Sequence, residues 1–245
     1  MGDLGIVSLG LYGFLIAYAI YMLFTYRIDP RYSLVYKKPL SFNRLLWLSS
    51  VEKLVLLVFL AVFALVPQRE LTTVFSLDTI RFTPYVFAAG IISGVLIFSG
   101  GIPVNLLISA VRRRFSIPQT KRESELTQLL TVSMTRSSAH VFLNVFAASI
   151  FAGVLEEIIF RGYLLENLRL LTLPIIAAII LQAIFAFAPQ LYQGIFNALL
   201  SLYGSVLFGI VFLLSGSLLA AIIAHITQDI VGFAFTFSTA KKKKQ

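Results

Sequence analysis

The segment Leu155-Glu156-Glu157-Ile158-Ile159-Phe160-Arg161-Gly162 sets two carboxylates and a guanidinium inside a run of apolar residues that otherwise reads as a membrane-spanning helix. A charged side chain at bilayer depth costs at least ~2.5–3.5 kcal/mol on insertion scales, so charges placed there pair, face a protein interior and mark a functional site. At helical spacing Glu157 and Arg161 are four apart and meet on one face, whereas Glu156 points about 100° away. The spacing therefore predicts that Arg161 neutralises Glu157 and leaves Glu156 free for chemistry.

The rest of the chain is as apolar as this segment's surroundings. Of 245 residues, 58% are hydrophobic and only 13% charged, against roughly 45–50% and 25% in a soluble domain. Seven apolar segments stand out, at about 4–26, 45–66, 84–111, 139–165, 173–190, 192–213 and 217–238. They are continuously apolar and too long for the alternating ~10-residue strands of a barrel. The predicted fold is all-α, a polytopic membrane helix bundle of about seven spans around a buried polar cavity, with residues 1–245 forming one integral membrane domain. The first segment, Leu4 to Tyr26, lacks a basic leader and reads as a retained span.

The net charge of +9 is explained by topology and gives no reason to expect a nucleic-acid partner. Fifteen of the Lys and Arg residues fall in three segments: Arg27 to Arg44, Arg112 to Arg136, and Lys241 to Lys244. Seven spans put all three on one side, and Arg69, Arg81 and Arg169 on the other. The positive-inside rule then places the C-terminus in the cytoplasm, and a prokaryotic plasma membrane is the expected location. A re-entrant segment near 190–203 would upset this parity. The stretch Glu123 to Leu130 reads either as a short amphipathic helix on the inner surface or as a solvated connector. Gly90, Gly94, Gly100 and Gly101 in the third span point to close helix packing. With no cysteine in the chain, disulfides, thiol catalysis and thiolate metal ligands are excluded.

A second polar pair lies in the last span, where His225 and Asp229 are four apart and share a face. A lone imidazole in an apolar helix is usually a hydrogen-bonded core group, but one paired with a carboxylate inside a membrane is a site candidate. Between the two charged stretches, Phe185-Ala186-Phe187-Ala188-Pro189-Gln190 ends the fifth span with a proline and a polar cluster that includes Tyr192 and Gln193. Glu52-Lys53 reads as a local pair near the inner end of span two, where snorkelling suffices. Asn105, Asn144, Gln182 and Asn197 read as interhelical hydrogen-bonders.

Glu156-Glu157-x-x-x-Arg161, the segment ending Phe185-Ala-Phe-Ala, and Phe208-Gly209-Ile210 through Ser215-Gly216-Ser217-Leu218 to His225-x-x-x-Asp229 resemble the motifs of the CAAX-protease and bacteriocin-processing (Abi, or CPBP) family of intramembrane glutamic endopeptidases. The resemblance covers about residues 139–238, and the first three spans share only their hydrophobicity. It implies that Glu156 is the general base for water, Glu157 supports the site and Arg161 fixes the carboxylates. His225 and Asp229 would stabilise the oxyanion. An ionised Asp229 cannot donate a hydrogen bond, so it would act either protonated or by orienting His225.

The chain departs from the family at one place. The family's middle motif, Phe-x-x-x-His, supplies an imidazole that shares the catalytic water. Counting from Phe185, this chain has Pro189 there, and counting from Phe187 it has Leu191. His140 cannot substitute, being sixteen residues before Glu156 on one helix and hence about 24 Å away along its axis. Losing a positioned acid/base group commonly costs 10²–10⁴ in rate. Zinc has candidate ligands in two Glu, one His and one Asp, but His-Glu-x-x-His is absent, so no metal or cofactor is expected.

Three functions follow from these residues: an intramembrane glutamic endopeptidase acting on membrane-associated peptides, a catalytically silent relative binding a membrane peptide or partner protein, and a transporter using the acidic pair. The last has no inverted repeat to support it. The expected partners are membrane lipids and a peptide or membrane-protein substrate.

Overall fold

The computed structural model describes residues 3–27, 42–65, 70–120, 123–124, 139–171 and 173–242. Among them no strand occurs, and the chain is a polytopic membrane helix bundle. Helix α1 (Asp3–Arg27) and α2 (Phe42–Leu65) precede a short helix α3 (Leu71–Val74) and a 3-10 turn (Leu77–Thr79). Helix α4 (Pro84–Arg114) follows, capped by Thr83, whose hydroxyl accepts from the Val86 N–H, with Pro84 where a missing N–H costs nothing. Helix α5 (Ala139–Glu157) runs through a π-helical segment (Ile158–Leu165) into α6 (Glu166–Leu170). Helix α7 (Ile175–Phe187) ends in a 3-10 turn (Ala188–Gln193), and α8 (Ile195–Ser215) and α9 (Leu218–Lys242) complete the bundle.

Each of the seven predicted apolar segments is helical among the described residues, and Ile195–Ser215 is one helix. Among the described residues, α4, α8 and Leu218–Thr236 of α9 are each long and apolar enough to cross a bilayer, with shorter apolar helices at Gly10–Met22 and Ile175–Leu191. Ile91, Ile92, Leu96, Leu106 and Leu107 lie exposed along α4, which is where side chains belong when the solvent is lipid. Apart from Glu123 and Ser124, the stretch read as an amphipathic helix or connector lies outside the described residues. So does the end of the C-terminal lysine run.

Packing of α4 on α9 depends on the predicted glycines. A Cβ on Gly94 would stand 2.5 Å from the Ala224 carbonyl oxygen and 2.6 Å from Thr227 Cβ, and one on Gly90 would stand 2.7 Å from Ile223 Cβ. Only hydrogen fits there, so the two backbones approach closely, as in small-residue interfaces of membrane helices. The N-terminal span is part of the same core. Phe14 and Tyr18 of α1 pack edge-on against Phe185. The Tyr18 hydroxyl donates to the Phe185 carbonyl (2.5 Å), and that of Tyr163 donates to the Gly10 carbonyl (2.8 Å). Each of these buried hydroxyls thereby has an acceptor.

Candidate active site

The site begins where α5 passes into the π-helical segment. A π-helix opens the i→i+4 pattern and is found mostly at functional positions. Here it is braced from outside: Ser76, with left-handed backbone (φ 51°), donates its hydroxyl to the Gly162 carbonyl at 2.9 Å. The approach needs a glycine, because a Cβ on Gly162 would lie 2.3 Å from the Phe75 carbonyl oxygen.

On the inner face, Arg161 and Glu157 meet as their spacing predicts, with Nη1 to Oε1 at 3.0 Å and both side chains essentially inaccessible. Arg161 is tied further to α8, where its Nη2 donates to the carbonyl and the hydroxyl of Ser205, both at 2.9 Å. Gln182 on α7 donates to the same hydroxyl at 2.8 Å, the interhelical role expected of it. The ring of Phe208 lies 5.3 Å below the guanidinium carbon and stacks on the His225 imidazole, with centroids 4.7 Å apart and planes within 12°. A desolvated cation over an aromatic face is favourable by about 2 kcal/mol, so Phe208 braces both groups.

Helix α9 brings His225 to the carboxylates. Its Nδ1 is 2.7 Å from Glu157 Oε1, and its Nε2 is 4.0 Å from Glu156 Oε2. Carboxylate oxygens only accept, so Nδ1 carries the proton and the tautomer is set by Glu157. Glu157 thus orients the ring, a role the sequence had offered to Asp229. Asp229 lies one turn further on α9. Four of the five predicted site residues, Glu156, Glu157, Arg161 and His225, therefore meet.

Two expectations are corrected. Glu156 is not left free, because Lys53 Nζ stands 2.5 Å from its Oε1. Nor is Lys53 a snorkelling residue at a helix end. It lies eleven residues from Phe42 and twelve from Leu65, in the middle of α2, and is 5% exposed. Sequence reading missed it because its nearest charged neighbour in the chain, Glu52, suggested a local pair. The signal available was depth: a mid-span ammonium cannot reach the interface and needs a buried acid. Among the described residues no three of His, Cys, Asp and Glu are grouped to hold a metal ion. Each glutamate is instead matched with a cation.

Accessibility separates the two glutamates. The Glu156 side chain is 18% exposed and that of His225 13%, whereas Glu157 is sealed. Residues 138–231 match the family model of the type II CAAX prenyl endopeptidase Rce1-like proteins. Over that stretch, less than half of its length, the chain is similar to the CAAX prenyl protease family. The match begins at the start of α5 and ends two residues past Asp229, so it contains every site residue except Lys53. No curated protein and no solved structure matches the chain. Within the matched stretch, the acidic pair, the arginine and the histidine are brought together in one place. Pro189 is buried in the 3-10 turn that follows α7.

Proposed function

We propose that the protein is an intramembrane glutamic endopeptidase of the CAAX-protease type, hydrolysing peptide bonds of membrane-associated substrates. The observation that carries this reading is the 4.0 Å separation of Glu156 Oε2 and His225 Nε2, on two partly accessible side chains of different helices. That gap is too long for a direct hydrogen bond and is wide enough for one water to bond to both atoms.

Glu156 takes a proton from this water as the oxygen adds to the carbonyl carbon of the substrate, and the carbonyl π pair moves onto oxygen. The oxyanion is stabilised by His225 when its Nε2 bears a proton, with Asp229 acting through its charge on the ring. Collapse of the intermediate breaks the C–N bond as Glu156 passes the proton to the leaving nitrogen, which gives a carboxylic acid and an amine. Glu157 and Arg161 do not touch the substrate in this scheme; they hold His225 in its tautomer and orientation.

Peptides of membrane-associated proteins reach such a site from the bilayer or its inner surface. With the basic segments inside, the C-terminus is cytoplasmic, and a prokaryotic plasma membrane is the proposed location. A catalytically silent relative that retains a membrane peptide is the second reading, favoured by Pro189 at the family's imidazole position. The test is incubation of the purified protein with prenylated and unprenylated membrane peptides, followed by mass spectrometry. Products lost on Glu156→Gln support hydrolysis. Products that survive this change remove Glu156 as the base, and intact peptides with a stoichiometric copurifying partner support the silent reading.

A further inference from the structure

Lys53 comes from α2, outside the matched region, yet it makes a closer contact with Glu156 than any other cation described. The ammonium takes Oε1, and Oε2 is the oxygen that faces His225. A carboxyl group gripped by one oxygen loses its rotation about the Cγ–Cδ bond, so the lone pairs of the other oxygen keep a fixed direction. In a site with a second imidazole, that ring would help to hold the water and the carboxylate in register. This chain has only two histidines, and His140 is sixteen residues from Glu156 on the same helix.

We infer that Lys53 is a positioning residue of this site: it holds Glu156 through Oε1 and thereby aims Oε2 at the water shared with His225, taking over the orienting part of the missing imidazole's work. The inference rests on the hydrolytic reading and deepens it. It also accounts for the charge balance, because Glu157 has Arg161 and Glu156 would otherwise sit beside it without a cation of its own. The packing of α2 along α5 that brings Lys53 to this depth makes the N-terminal half of the chain part of the catalytic apparatus.

The test uses full-length protein in detergent with Lys53→Met, Lys53→Arg, Glu156→Gln and the double variant Lys53→Met/Glu156→Gln. Lys53→Met is expected to lower kcat on the order of 10²-fold with KM nearly unchanged, and Lys53→Arg to recover part of the loss. A purely structural lysine would leave kcat of the folded fraction intact, and that result overturns the proposal. Should Lys53→Met not fold, Lys53→Gln, which keeps a donor without the charge, is read in the same way. Thermal melting is a second readout that needs no turnover. Each single variant strands a buried charge, so the double variant should melt above the sum of the two losses. Additive losses overturn the link. If the wild type cleaves nothing, the hydrolytic reading falls, and the melting cycle alone decides whether Lys53 holds Glu156.

Discussion

Glu157 Oε1 receives both the His225 imidazole, at 2.7 Å, and the Arg161 guanidinium, at 3.0 Å. One sealed oxygen therefore ties α9 to the last residue of α5, 68 residues earlier. Glu157→Gln would leave Arg161 buried with its charge uncompensated, at a cost of about 3–5 kcal/mol. It would also let the ring choose its tautomer. The expected outcome is a clear fall in melting temperature together with loss of peptide turnover, while Glu157→Asp keeps the charge and loses less stability. Thermal unfolding in detergent and a turnover assay on the same samples check both.

Gly162→Ala drives a methyl into the Phe75 carbonyl, whereas a methyl on Gly153 would meet the His225 ring at an ordinary 3.5 Å. Overpacking against backbone should cost the first variant about 1–3 kcal/mol. The second should stay within about 0.5 kcal/mol of wild type. Paired denaturation curves decide it, and equal midpoints for the two variants would contradict the tight approach of Ser76 to the π-helical segment.

Gly94→Ala is expected to push α4 off α9 beside Ala224, the residue before His225. A loss of about 1–3 kcal/mol should come with reduced turnover, although the substitution touches no reacting group. Melting and kinetics measured together on this variant are the check, and unaltered kinetics would mean that the α4 interface does not set the His225 position.

Among the described residues, Glu123 is the acidic group outside the spans whose surroundings predict a pH response. Thr120-x-x-Glu123 forms a capping box, with the Thr120 N–H donating to Glu123 Oε2 at 2.8 Å and the Glu123 N–H to Thr120 Oγ1 at 3.2 Å. Arg112 at the end of α4 pairs with the same carboxylate and lies over the Phe196 ring of α8. Burial alone would raise this carboxyl, but the Thr120 N–H and Arg112 outweigh it and hold Glu123 below its ordinary 4.5. A carboxyl more acidic in the folded chain contributes stability that is complete above 4.5 and is lost as pH falls through the lower folded value. The melting temperature should drop on acidification in that window, and Glu123→Gln should melt lower at neutral pH with a flatter acid limb. Melting scans from neutral to acid pH on both proteins test this.

The sequence was legible wherever the geometry was local. The spans followed from hydropathy, and the Glu157–Arg161 pair followed from four-residue spacing on one helix. Glycines in an otherwise bulky third span correctly announced close packing. The capping box at Thr120 is also written in the sequence, but it is masked there by a loop whose charges look like those of a connector.

What the sequence determined by itself was which apolar segments form helices and which side chains within a helix can meet. Only the tertiary structure decided that Lys53 belongs to Glu156 and that Glu157 bonds to His225. Those partners sit on different helices, and their pairing depends on the depth and rotation of each helix. Hydropathy cannot report either, because in lipid a face turned to the bilayer and a face turned to protein are equally apolar.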